Sequence, residues 1–151
     1  MPKSSVSLSV GRVRSVAELD YAFLAEYARV DPSGSLTSVG ASYTHVGIPM
    51  TPTQHLLSVA GRIRITTESP SVLLRVVMRD AAKTMSVSYE TTLEPVPGAR
   101  VYAGNKLGIL FALNTLMPII ELGSYEVVLE LDDVEVRRLY FTAETVEPAE
   151  L

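Results

Sequence analysis

Two histidines, His45 and His55, are the side chains in this chain best suited to metal or proton chemistry. They flank the run Gly47-Ile48-Pro49-Met50-Thr51-Pro52, so a turn there would let them meet and hold a divalent cation. A usable site wants a third ligand, with carboxylates behind the imidazoles to orient them. The nearest acidic residues, Asp31 and Glu68, stand at no ligand spacing. His55 also shares the apolar phase of its own strand, which predicts a partly buried imidazole satisfied inside the protein. No metal and no cofactor are expected, with His45 and His55 the weak alternative.

Other chemistries fare no better. Gly40-Ala41-Ser42-Tyr43-Thr44 lacks the second glycine of a hydrolase nucleophile elbow, and no helix follows it. Gly98 to Lys106 echoes a phosphate loop, but its glycines are one residue too far apart and Asn105 separates Gly104 from Lys106. A strand comes next, so no helix N-terminus is there to hold phosphate. Glu18, Asp20 and Glu26 are the carboxylates placed for acid–base work, and they need a pocket that shifts their pKa values. Glu126, Glu130, Asp132 and Glu135 read as the solvated side of a hairpin, and Asp132-Asp133 as turn residues before calcium ligands. No catalytic set emerges. Seven tyrosines against three phenylalanines and no tryptophan suit a strand-rich core rim or an interface, Tyr43 and Tyr102 among them.

The elements that would position these residues are strands. Tyr125, Val127, Leu129 and Leu131 alternate with Glu126, Val128, Glu130 and Asp132, the period of a half-buried strand. Asp132-Asp133 closes a two-residue hairpin. An extra residue at Arg137-Arg138, a β-bulge, then brings Leu139 opposite Val127 and Phe141 opposite Tyr125. Residues 18 to 30 have helical composition, but Tyr21, Phe23, Ala25 and Tyr27 alternate, and Asp31-Pro32-Ser33-Gly34 is a turn. A hairpin of residues 21 to 30 against 35 to 44 is expected. His55 to Ile65, Val72 to Arg79 and Met85 to Leu93 read as strands. Leu107 to Leu116, apolar throughout but for Gly108, Asn114 and Thr115, reads as a central strand that Pro118 stops.

The predicted fold is all-β, an antiparallel two-sheet sandwich of about eight strands over residues 18 to 145. An N-terminal extension, 1 to 17, and an acidic tail, 146 to 151, lie outside it. Within the extension Val6, Leu8 and Val10 alternate with serines, the pattern of a strand that adds to a sheet edge.

Composition bounds the function classes. At 151 residues and 47% hydrophobic, the chain buries a core without staples. It has no cysteine, which removes disulfides, thiol nucleophiles and thiolate-bound zinc and suits a reducing compartment. No apolar run approaches a bilayer span and no signal-peptide core stands at the N-terminus, so a cytoplasmic location and no membrane partner are expected. Residues 76 to 151 carry six basic and twelve acidic side chains, which argues against nucleic acid as a partner.

Asp20-Tyr21-Ala22-Phe23-Leu24-Ala25-Glu26-Tyr27-Ala28, the Gly34 turn and Leu36-Thr37-Ser38-Val39-Gly40 resemble the opening hairpin of a family of small bacterial proteins of unknown function. The run from Leu122 to Asp133 resembles that family's closing hairpin. The resemblance covers residues 18 to 143 and implies a compact β domain; it carries no catalytic or binding residue across. The expected role is a non-enzymatic binding or structural module that pairs with itself or with another protein, with Val6, Leu8, Val10, Tyr43 and Tyr102 as interface candidates. The alternative is an enzyme of a small ligand or metal, using the loops 46–54 and 95–105 with His45 and His55.

Overall fold

The computed structural model describes residues 17–69 and 71–146. Ten strands, and no helix, lie among them: β1 (Glu18–Ala25), β2 (Tyr27–Val30), β3 (Leu36–Val39), β4 (His45–Ile48), β5 (Thr53–Thr66), β6 (Val72–Asp80), β7 (Ser86–Leu93), β8 (Lys106–Ile119), β9 (Gly123–Leu131) and β10 (Val134–Thr145). A five-stranded sheet runs β4-β10-β9-β6-β7, a three-stranded sheet runs β1-β5-β8, and β2 and β3 form a separate hairpin. Every pair is antiparallel except β4 with β10. The two larger sheets meet through one core. Leu57, Val59, Ile63 and Ile65 of β5 with Ile109, Phe111 and Met117 of β8 face Val72 to Met78 of β6 and Tyr125 to Leu131 of β9. The β-sandwich expected from alternation is the fold. Among the described residues no helix is long and apolar enough to cross a membrane.

The count of ten, against the expected eight, comes from two places. The segment 18–30 is extended rather than helical, but it breaks at Glu26. There the backbone N–H donates to Val39 O at 3.0 Å and to Gly40 O at 3.3 Å, pulling the chain off the β5 ladder. β1 stays beside β5, so the expected long hairpin shrinks to Tyr27–Val30 against Leu36–Val39. That hairpin lies on the outer face of the three-stranded sheet. The Asn114 side chain donates to Ala28 O at 2.8 Å, and Ala28, Ser58 and Ala60 are buried. The second addition is β4, four residues that pair along the outer edge of β10 before the prolines begin.

The closing hairpin forms as its alternation predicts. Asp132 and Asp133 both adopt positive φ, +50° and +70°, as a tight hairpin turn requires. Leu139 opposes Val127 and Phe141 opposes Tyr125. The bulge that makes this possible sits one step closer to the turn than expected. Glu130 pairs with Glu135 and Leu129 with Arg137, leaving Val136 as the extra residue. Val136 packs against the core while Arg137 is exposed, so the bulge spends an apolar residue inward and spares Arg137 from burial.

Pro118 does not stop β8; it pairs with Gln54 inside the ladder. The reason is that among the described residues β8 is an edge strand and not a central one, with β5 as its one strand neighbour. Lys106 exchanges two backbone bonds with Tyr102 on the side away from β5. Because N–H and C=O groups alternate sides residue by residue and the ladder has no register shift, every even residue of β8 points its backbone outward. Pro118 is even, so the donor it lacks is one that the β5 ladder never uses.

Candidate functional site

The two histidines are placed on opposite faces of their strands. His45, on β4, is exposed, and its Nδ1 lies 2.9 Å from the Thr44 hydroxyl. The core side of β4 is taken by Val46 and Ile48. His55 points inward at the rim of the core, where its ring lies 6.1 Å from those of Tyr43 and Phe141, and Phe141 stacks on Tyr125 at 5.4 Å. Nε2 of His55 lies 3.4 Å from the Tyr43 hydroxyl. The two imidazoles thus have different partners. Among the described residues no cluster of three or more His, Asp or Glu side chains is arranged to hold a metal. The loops 46–54 and 95–105 do not share a cleft either. They sit at opposite ends of the unbroken ladder from Thr53↔Ile119 to Thr66↔Lys106, on the order of 40 Å apart at strand rise.

Burial governs this aromatic cluster. It pushes the Tyr43 hydroxyl up to about 12, with the Glu26 charge adding to the shift. It holds His55 below the usual histidine range, against the opposing pull of Glu26. The sign of the linkage follows for each. As pH falls through 6.5 the unfolded chain protonates at His55 before the folded one does, so stability is lost. As pH rises above 10 the unfolded chain ionises at Tyr43 first, and stability is lost again. Urea midpoints measured from pH 5.5 to 11 should fall at both ends. His55→Gln should flatten the acid side and Tyr43→Phe the alkaline side; equal slopes in variants and parent would refute the assignment.

Of the carboxylates singled out by sequence, Glu18, Asp20, Glu126, Glu130 and Glu135 are engaged by cations rather than gathered in a pocket, while the Glu26 side chain lies against Gly40. Glu18 lies 3.2 Å from Lys106 and 3.4 Å from Arg64. Asp20 is the extra residue of a bulge in β1, between Leu19↔Ile63 and Tyr21↔Arg62, and its carboxylate accepts from Arg62 Nε at 2.7 Å. Glu126 departs from the solvated role expected of it: only 6% exposed, it sits between Arg79 at 3.2 Å and Arg138 at 3.4 Å. Arg75 bridges Glu90, Glu130 and Asp133 across three strands, and Arg138 takes Glu135 at 2.7 Å. These pairs tie β7, β6, β9 and β10 together on the outer face, a structural use of charge that leaves the Asp133 and Glu135 carboxylates already partnered.

What remains is a groove where the loop after β7 and the Asp31–Gly34 turn flank the free edge of β8. Its floor is Gly108, Ile109 and Leu110, with Val30 and Gly34 on one wall and Glu94 and Val96 on the other. It continues into a cavity of about 270 Å³ bounded by Arg62, Arg100 and Tyr102. The Tyr102 ring lies over Gly108, where a Cβ would come within 3.2 Å of it. Arg62 sits between the rings of Tyr21 and Tyr102, at 5.2 and 5.4 Å. The Tyr102 hydroxyl is buried with no hydrogen-bond partner among the described residues. Along the groove and past it the outward N–H groups of Gly108, Leu110, Ala112, Asn114 and Leu116 make no backbone pairing among the described residues.

Of the interface candidates, Tyr102 borders this groove and Tyr43 lines a separate hollow between β1 and β10. Val6, Leu8 and Val10 fall outside the described residues. Sequence reasoning did not anticipate the β8 edge. The available signal was Pro118 itself: a proline inside an apolar strand run belongs on an edge, because a central position would leave a ladder bond unmade. No curated protein matches the chain. Residues 20–144, most of its length, match the model of a family of unknown function, DUF6941, and the chain belongs to that family.

Proposed function

We infer that the domain is a non-enzymatic binding module that self-associates by adding a strand to the free edge of β8. One observation carries this. The segment from Gly108 to Leu116 offers five outward N–H groups at alternate positions on an unbulged strand with no charged residue. Natural edges are protected by charge, bulges, prolines or covering segments, and among the described residues the backbone protection of this edge lies at its two ends, at the Tyr102 turn and at Pro118. An edge of this kind takes an extended segment by main-chain hydrogen bonds, with pockets beside it reading alternate side chains. The groove over Gly108–Leu110 provides such a pocket.

The test is Ala112→Pro. Ala112 points its N–H away from β5, so proline deletes an edge donor and leaves the β5–β8 ladder intact. Sedimentation velocity at high micromolar concentration should show the parent as a dimer. The variant should show association weakened by about tenfold or more, the equivalent of ~1.4 kcal/mol, with thermal unfolding retained. A parent that sediments as a monomer at that concentration defeats the reading.

A further inference from the structure

We propose that the strand received by the β8 edge is residues 5–10 of a second copy of this chain, an inference that rests on the edge reading above. The two sheets are unequal among the described residues. Five strands face three, and β8 lies toward the β7 side, since Glu94 at the end of β7 and Gly108–Leu110 line one groove while β1 lies by β10. Among the described residues the inner face of β7 is therefore left without a facing strand. Met85, Val87 and Leu93 are only partly buried there and Tyr89 is 38% exposed, whereas their β6 neighbours Val76 and Met78 are at most 1% exposed. A fourth strand beside β8 would cover that strip, and it must present apolar side chains at every second position on its inner side.

Val6, Leu8 and Val10 have this period, with Ser7 and Ser9 between them and Ser5 before. Set antiparallel to β8 with Val10 opposite Ile109, Leu8 meets Phe111 and Val6 meets Leu113, all on the inner face. The serines then lie opposite Leu110, Ala112 and Asn114, three of the residues whose backbone groups point outward, so pattern and hydrogen-bond phase agree. Charge is also complementary. Residues 1–16 hold Lys3, Arg12 and Arg14 and no carboxylate in a chain of net charge −4, which leaves −7 on the remainder, Glu94 at the groove included.

A second copy is the source because the direct route within one molecule is obstructed. The described chain begins beside Glu18, which lies across β5 from Gly108 (Glu18↔Arg64↔Gly108). Between that point and the groove the Tyr102 turn occupies the edge at Lys106. Reciprocal exchange between two copies joined by a two-fold axis satisfies both edges and closes the assembly.

The experiment compares three proteins by sedimentation velocity: the parent, Ala112→Pro, and a chain lacking residues 2–11. The expected result is a dimeric parent and two monomers. A synthetic peptide of residues 1–14 should then bind the shortened chain, and its Leu8→Asp version about tenfold more weakly, as expected for burying an unpaired carboxylate. A shortened chain that stays dimeric while Ala112→Pro dissociates overturns this inference and leaves the edge reading standing. A monomeric parent whose shortened form dimerises places the strand within one molecule and overturns the exchange. Monomers throughout defeat both readings.

Discussion

Gly61→Ala should unfold or severely destabilise this domain, although it adds one methyl group to a residue in the middle of a strand. A Cβ built at Gly61 meets Tyr21 O at 2.1 Å, Ala22 Cα at 2.9 Å and Phe111 Cζ at 3.0 Å. Two of these are backbone atoms of β1, so no rotamer change relieves the contact. The strand must move away from β5, and the pairs from Tyr21↔Arg62 to Ala25↔Ser58 move with it. The Asp20 bulge lies immediately beside the contact, and the displacement would carry the Asp20 carboxylate off Arg62. Overpacking a core typically costs 1–3 kcal/mol; a clash against main chain belongs at or above the top of that range, about 3 kcal/mol. Against a total stability of roughly 5–15 kcal/mol, the loss is readable as a fall in urea midpoint or as insoluble expression. Gly34→Ala gives the control: its Cβ meets nothing within 4 Å, and its cost is confined to the positive φ of +89°. A Gly61→Ala protein as stable as the Gly34→Ala protein would mean that β1 does not pack on β5 in this way.

The contrast between these glycines shows where the sequence was legible and where it was not. The two-fold alternation of Tyr125 to Leu131 and of Val134 to Phe141 carries local information, because a strand with one face buried must repeat every second residue. It fixed the sandwich, the Asp132-Asp133 turn and the pairing of Phe141 with Tyr125. The bulge was located to within a step, since the pattern requires one extra residue but Val136 and Arg137 are both tolerable as that residue. Long-range placement leaves no such imprint. Gly61 reads as an ordinary weak strand residue until β1 is seen crossing it. Glu26 reads as one more polar position until the outer-face hairpin needs the chain to bend there. Glu126 looks like any solvent-facing strand glutamate, and only the lateral neighbours Arg79 and Arg138, 47 and 12 residues away, remove it from water. The candidate site was the least legible part. Whether an apolar strand is central or an edge depends on what lies beside it, and of the β8 run only Pro118 distinguished the two.

Phe141→Ala carries the other large expected effect, and it tests the closing hairpin and the His55 environment together. Phe141 is 2% exposed and stacks on Tyr125 with an interplanar angle of 12°, while Tyr43 meets it edge-on at 77°. Tyr125 is anchored in turn, its hydroxyl donating to Glu121 O at 2.5 Å and accepting from Glu121 N at 3.2 Å, which pins the chain between β8 and β9. Removing the Phe141 ring deletes the wall shared by Tyr125, Tyr43 and His55, and Tyr125 cannot slide into the gap without breaking those bonds. Truncating a buried phenylalanine costs about 3–5 kcal/mol, and the poor collapse of this site favours the upper part of that range. A second consequence separates this from a general loss of packing. Water reaching the cavity should relieve the desolvation that holds His55 down, so its titration, followed by NMR of the imidazole, should move up toward the ordinary histidine value. Phe141→Leu, which refills most of the volume, should recover much of the stability and keep His55 depressed. A Phe141→Ala protein with unchanged His55 titration would show that the ring does not shield that imidazole, and that Tyr43 does so alone.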